Sequence, residues 1–157
     1  MAEGKYCKYI CTDLKKEIRL PGYVTGENST KVKPGERRRI NHVIWMDSEI
    51  IPGAFYSECI WLFPGQEIKN ERIDNGGGSK SHAHPFSEVI TFFGTNWDDP
   101  TDLGGEVELW LEGEKHVLTK SFLCYVPAGM SHCPLKINRI DRPMFHFTLG
   151  SGKMYEK

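Results

Sequence analysis

The sequence contains no long apolar run and no excess of charge of one sign. No stretch approaches the roughly 20 apolar residues that a membrane-spanning helix needs, so we expect no membrane partner. The 157 residues include 20 basic and 21 acidic side chains, which gives a formal net charge of −1. Because this charge produces no overall field that attracts a polyanion, we expect no nucleic acid partner either.

The sequence also lacks an even set of cysteines. The five cysteines are scattered along the chain, which suits a reducing compartment better than a disulfide framework. The polar start, Met1 to Lys5, lacks the hydrophobic region of a secretory signal, so we expect a cytoplasmic protein. Cys7 and Cys11 could form half of a zinc site, but no second pair at matching spacing accompanies them.

The chain has the length of one domain and can bury a real core. From residue 54 onward it consists of short candidate strands separated by turns, a pattern typical of an all-β sandwich or barrel. These strands are 54–63, 66–73, 87–93, 105–112, 115–120, 122–126 and 142–149. We therefore predict a barrel over 54–157, with residues 1–53 forming an arm that packs on the barrel or on a partner subunit.

The predicted arm has weaker patterns. A short helix is plausible over 13–20, and the strand-like segment 40–45 follows the basic run Arg37-Arg38-Arg39. The basic run could bind a carboxylate or a phosphate, although a solvated strand end explains it more simply.

Histidines and a glutamate recur at short spacing in the middle of the chain. On a β-strand, residues two apart point to the same face, so His82, His84 and Glu88 would share one face. A tight Pro/Gly turn at 127–129 then leads into His132. Half-buried histidines with ordinary hydrogen bonds would explain the first pair alone, but the joint pattern predicts a metal site. Cys133 follows His132, and strand alternation predicts that its side chain points the other way, as a buried residue with no part in the site.

This spacing resembles the two sequence motifs of the cupin family. The first motif is matched by Gly76, His82, His84, Glu88 and Gly94, and the second by Pro127, Gly129 and His132. The sequence departs from the second motif at Ser121, Phe122 and Lys136, where the family has Gly, often Asp, and Asn. The resemblance covers roughly residues 55–150 and implies an all-β jelly-roll barrel, with a homodimer as the expected assembly.

Three imidazoles and one carboxylate suit one divalent first-row metal ion per chain. The softness of these ligand atoms does not distinguish among Fe, Mn, Ni, Zn, Co and Cu. We favour Fe or Mn. In an octahedral complex, four protein ligands leave two open positions, which is a catalytic rather than a structural arrangement.

Other side chains are candidates for the same cavity. His146 shares one face of the last strand with Met144 and Thr148, and it could act as a catalytic base or remain an ordinary core histidine. The candidates for pocket lining are Phe86, Ile90, Phe92, Trp110 and Arg72, with Glu58 and Trp61 as further wall residues. Packing of the strand core explains Phe86, Ile90 and Phe92 equally simply.

The resemblance implies an enzyme that acts on a small organic substrate able to chelate a metal through oxygen. A dioxygenase acting on a carboxylate, phenol or dicarbonyl is slightly favoured, because two open positions suit oxygen and substrate together. A metal-dependent decarboxylase, isomerase, lyase or hydrolase is the alternative. A non-catalytic cupin that binds or senses a small ligand is the alternative from another class.

Overall fold

The computed structural model describes residues 5–12, 14–15, 18–20, 23–25, 40–65 and 80–153. This part of the chain contains one short 3₁₀ helix, Cys7–Tyr9, and ten strands. The strands are β1 (Ile18–Leu20), β2 (Tyr23–Thr25), β3 (Ile40–Met46), β4 (Tyr56–Leu62), β5 (Glu88–Phe93), β6 (Asp102–Leu111), β7 (Glu114–Lys120), β8 (Phe122–Val126), β9 (His132–Ile140) and β10 (Met144–Gly150). No helix in these ranges has the length and apolarity needed to cross a bilayer.

The strands form three antiparallel sheets. Strands β1 and β2 pair with each other, a five-stranded sheet has the order β3-β4-β10-β5-β8, and a three-stranded sheet has the order β7-β6-β9. The two larger sheets cover a common core, which gives the all-β jelly-roll architecture expected from the sequence. β3 lies within the predicted N-terminal arm and pairs with β4 of its own chain.

Inward-facing apolar side chains on the strands build the core between these sheets. On β6, Val107 and Leu109 are fully buried, while Ile90 and Phe92 on β5 and Met144 on β10 approach them from the other sheet. Burying such a side chain contributes about 1.5–3 kcal/mol. A polar side chain at an inward-facing position of β4, β5 or β10 is therefore held in place by this core.

Most strand predictions agree with the structure. The strands that begin and end within two residues of the predicted bounds are β3, β4, β5, β7, β8 and β10. β9 was not predicted, because Pro134 and the polar run that follows it hide the alternation. The helix predicted over 13–20 is wrong at Ile18–Leu20, which is β1. The predicted strand 66–73, the motif residue Gly76 and the basic run 37–39 lie outside the described residues.

Ser121 fills the position where the cupin motif has glycine. Its hydroxyl accepts a hydrogen bond from Gly94 N at 3.1 Å and donates one to Pro100 O at 3.2 Å. Gly94 itself must be glycine, because a Cβ there would lie 2.0 Å from the carbonyl oxygen of Asp102. The departure at Ser121 thus ties the start of β8 to the end of β5.

Candidate metal centre

Backbone hydrogen bonds bring the two motif segments together. His82 N donates to His132 O at 3.0 Å, His132 N donates to His82 O at 2.9 Å, and Gly129 N donates to His84 O at 2.9 Å. Gly129 has a φ of +80°, a conformation that glycine adopts readily. His82 and His84 were predicted to lie on a strand, but they lie on the connection before β5, where His82 forms only an isolated bridge to His132.

Three of the predicted ligands converge in the interior. His84 Nε2 lies 3.3 Å from Glu88 Oε2, and His132 Nε2 lies 3.1 Å from the same oxygen. All three side chains are buried, and one potential ligand atom from each lies within 4.8 Å of the other two. This group has the donor types and the spacing that could hold a metal ion.

The hydrogen bonds of the three histidines determine which nitrogen each ring can offer. Nδ1 faces a backbone carbonyl in every case: Lys80 O at 2.7 Å from His82, Phe86 O at 2.6 Å from His84, and Met130 O at 3.1 Å from His132. A carbonyl only accepts hydrogen bonds, so we assign the proton to Nδ1. In each neutral ring the lone pair is then on Nε2, and the 3.3 Å hydrogen bond between His84 Nε2 and Glu88 Oε2 forms only when that ring is protonated. Metal-binding histidines are usually held this way.

His132 Nε2 provides the direct test of fit for a metal. Among the described residues it is a fully buried nitrogen that makes no hydrogen bond, because its 3.1 Å approach to Glu88 lacks hydrogen-bond geometry. A buried lone pair facing a carboxylate is unfavourable, since neither group donates a proton to the other. A divalent cation between Glu88 and the imidazoles removes this conflict, so the residues present fit a metal ion.

Electrostatics favour an ionised carboxylate at the centre. Burial alone would raise the pKa of Glu88. The neighbouring His132 and His84 lower this pKa by a larger amount, so that it lies below the usual value. Burial lowers the pKa of His84, but the hydrogen bond and the charge of Glu88 raise it overall. The pKa of His82 is lowered, mainly by burial. An ionised Glu88 is the protonation state that metal binding requires.

His82 and Cys133 form a second group with His132. A ring nitrogen of each histidine and Cys133 Sγ lie within 4.8 Å of one another. The ring centroids of His82 and His132 are 4.3 Å apart, whereas those of His82 and His84 are 5.9 Å apart. The prediction that Cys133 points away from His132 is wrong, because its φ of +71° interrupts the strand alternation.

The remaining predicted pocket residues lie in different places. The ring of Phe86 stacks on His84 with centroids 4.0 Å apart, whereas Ile90 and Phe92 belong to the main hydrophobic core. Trp110 is half-buried on β6, and its Nε1 donates to Glu108 Oε1 at 2.7 Å. Its role in lining the pocket stays a prediction. Arg72 lies outside the described residues.

His146 is buried with both ring nitrogens hydrogen-bonded. Its Nδ1 donates to Thr91 O at 2.8 Å, and Thr148 Oγ1 donates to its Nε2 at 3.0 Å. Burial is the main cause of its lowered pKa, so the ring is neutral. These contacts suit the core-histidine interpretation, while the catalytic role stays a prediction.

The sequence interpretation missed a second polar pair inside the fold. Glu58 on β4 is buried, and its Oε1 lies 2.5 Å from His42 Nδ1 on β3. In the sheet, Glu58 stands opposite Thr148, the hydrogen-bond partner of His146. A usable signal existed in the sequence, because Glu58 shares strand parity with Tyr56 and Ile60, and a carboxylate at such a core-facing position needs a partner.

The chain is similar to several solved structures. The DMSP lyase DddQ from Ruegeria pomeroyi DSS-3 is 20% identical with a TM-score of 0.39, and the match covers 66% of this chain and 41% of that chain. A predicted oxalate decarboxylase from Thermotoga maritima is 14% identical with a TM-score of 0.44, covering 71% of this chain and 77% of that chain. An oxalate oxidase is 12% identical with a TM-score of 0.46, covering 84% of this chain and 60% of that chain.

No family model and no curated protein matches the sequence. The chain spans less than two thirds of the length of the DMSP lyase and of the oxalate oxidase, and at these identities their activities are not carried over to it. The two sequence motifs that resemble those of cupins meet through the His82–His132 bridge on an antiparallel jelly roll.

Proposed function

We propose that the protein is a metal-dependent cupin enzyme that acts on a small, oxygen-chelating organic substrate such as a carboxylate, a phenol or a dicarbonyl. The observation that carries this proposal is the buried His132 Nε2, which has no hydrogen bond among the described residues and faces the ionised Glu88. A ligand set with this hydrogen bonding and charge can bind a cation in the absence of substrate.

His82, His84, Glu88 and His132 would hold the metal, with Fe or Mn favoured and Ni, Zn, Co or Cu as alternatives. A bound divalent metal would supply Lewis acidity and open positions for small oxygen ligands. Within the protein, the three Nδ1–H groups orient the imidazoles against backbone carbonyls. Phe86 covers one face of His84 and keeps water from that side.

The His42–Glu58 pair is the second polar feature of this interior, and it would hold or move a proton for a bound substrate. Its carboxylate is buried on β4, opposite Thr148, which is the hydrogen-bond partner of His146. A pair of this kind is suited to general acid–base work in a site closed to bulk water.

The first experiment is elemental analysis of protein purified without chelators or added metal, for the wild type and for His84→Ala. About one Fe or Mn per chain, lost in the variant, would support the metal centre. Equal metal content in the wild type, His84→Ala and His132→Ala would overturn the ligand assignment. A wild type without metal that also fails to bind added metal would favour the non-catalytic binding cupin.

The reaction class is tested by comparing conversion of chelating acids, phenols and dicarbonyls in air and under anaerobic conditions. Dioxygenase chemistry, which we slightly favour, requires oxygen for conversion. Conversion without oxygen would exclude it in favour of a decarboxylase, isomerase, lyase or hydrolase. A ligand that binds and is recovered unchanged under both conditions would indicate a binding or sensing module.

We also propose that the protein forms a homodimer through the outer face of the five-stranded sheet. On its edge strand β8, Leu123 and Tyr125 are 70% and 64% exposed, and on β5 Phe93 is 42% exposed. An exposed apolar patch of this kind is typical of an interface. In sedimentation experiments, we expect Leu123→Glu to yield monomer, while the control Val117→Glu on the other sheet stays dimeric. A wild type that is monomeric at all concentrations would contradict the proposal.

A further inference from the structure

We propose that Cys133 is a thiolate metal ligand and that, with His82 and His132, it gives this centre a second, softer ligand set. The inference rests on the metal centre proposed above and extends it. It is carried by the mutual approach of the three donor atoms, all within 4.8 Å of one another, and by the burial of Cys133, which is 6% exposed.

The backbone places the thiol there. On a regular strand, consecutive side chains point to opposite faces, so His132 and Cys133 would diverge. The φ of +71° at Cys133 interrupts this alternation and brings both side chains to the same group. A non-glycine residue in this region is strained, and the surrounding fold must offset that strain.

The geometry is compatible with one ion. A metal held by thiolate at about 2.3 Å and by imidazole at about 2.1 Å has donor atoms roughly 3.5 Å apart in a tetrahedral site. Donors that are now within 4.8 Å of one another need to close by only about an ångström. Cys133 would hold a metal as a thiolate, with its proton released to solvent and an electron pair of its sulfur donated to the ion.

His82 and His132 belong to both ligand sets and so couple them. With His84 and Glu88 they form the centre of three imidazoles and one carboxylate proposed above, which suits harder ions such as Mn(II) or Fe(II). With Cys133 they offer two imidazoles and a thiolate, which suit Zn(II), Cd(II) or Cu(I). Because these imidazoles are shared, the softness of the metal decides whether a carboxylate or the Cys133 thiolate completes the set.

Titration with Co(II) tests thiolate ligation directly, because a cobalt–thiolate bond adds a near-ultraviolet charge-transfer band to the visible d–d bands. We expect both features in the wild type and in the control Cys59→Ser, which changes a cysteine outside the site. Cys133→Ser should keep the d–d bands and lose the charge-transfer band. Circular dichroism should show that both variants remain folded.

The outcomes separate this inference from the proposed function. Visible d–d bands without a charge-transfer band in the wild type would overturn thiolate ligation and leave the His/Glu centre intact. A charge-transfer band that persists in Cys133→Ser would assign the thiolate to another cysteine. An absence of all cobalt bands would overturn the metal centre and this inference together.

Metal competition provides a second measurement. Cys133→Ser should weaken Cd(II) binding by about tenfold or more and leave Mn(II) affinity nearly unchanged. Glu88→Gln should have the opposite selectivity, weakening Mn(II) more than Cd(II). Equal losses for both metals in Cys133→Ser would contradict the proposal.

Discussion

His132 and His146 are both buried histidines inside the same jelly roll, but they differ in their hydrogen bonds. His132 is 1% exposed and His146 is 7% exposed, so burial does not distinguish them. His146 has a partner on each ring nitrogen. His132 uses only Nδ1, and its Nε2 faces a carboxylate. A buried side chain whose polar atoms all form hydrogen bonds is typical of the core. A buried nitrogen lone pair that accepts no hydrogen bond is instead typical of a metal ligand.

The sharpest test of this comparison is His132→Ala. We expect metal affinity to fall by more than about 100-fold, since even outer-sphere partners of metal ligands contribute 10- to 100-fold. The fold should persist, because the apo protein loses an uncompensated buried nitrogen. Metal content per chain and circular dichroism measure the two effects. His116→Ala, on the edge strand β7 and outside the ligand groups, is the matched control and should retain its metal.

His146→Ala should show the opposite behaviour. Removing the ring leaves Thr91 O and Thr148 Oγ1 without their partners and opens a cavity beside Phe92, which together should lower the free energy of unfolding by about 2–4 kcal/mol. Metal content should stay at the wild-type level. Once a substrate is known, lost turnover in this variant at full metal load would support a catalytic His146, and unaltered kinetics would assign it to the core.

The lowered pKa of His146 predicts how stability depends on pH. Its folded-state pKa is below the ordinary value of 6.5, chiefly because the charged ring would be buried. The unfolded chain therefore binds the extra proton first, and stability should decrease as the pH falls through about 6.5, by up to about 1.4 kcal/mol per pH unit. Denaturant unfolding of apo protein between pH 7.5 and 5 measures this slope.

In His146→Asn, whose amide can still donate towards Thr91 O, the slope should be reduced by the contribution of one proton. If His146→Asn and the wild type had the same slope, His146 would not be the group responsible.

The smallest expected effect concerns Ser121, at the far end of β8 from the histidines. Ser121→Ala removes the hydrogen bonds to Gly94 N and Pro100 O and should lower the free energy of unfolding by about 1 kcal/mol. Metal affinity should not change. A loss of metal in this variant would mean that the connection between β5 and β8 positions the ligands.

Much of this protein could be predicted from its sequence. Alternation and turn residues predicted most strands of the barrel, because their inward faces are apolar and their turns contain Pro and Gly. The spacing of His82, His84, Glu88 and His132 selected side chains of which the structure brings three within 4.8 Å. Strand parity also predicted that His146 shares the inward face of β10 with Met144.

Some features were decided only in the tertiary structure. β9 exists because β6 supplies a partner for a segment with weak alternation of its own. The group of His82, His132 and Cys133 depends on the left-handed backbone conformation of Cys133. The amino-acid sequence does not predict this conformation. The difference between His132 and His146 depends on which carbonyls and hydroxyls lie beside each ring. Sequence alone therefore determined which groups could carry chemistry, whereas tertiary contacts decided which nitrogens remain for a metal, because hydrogen bonds join atoms distant in sequence.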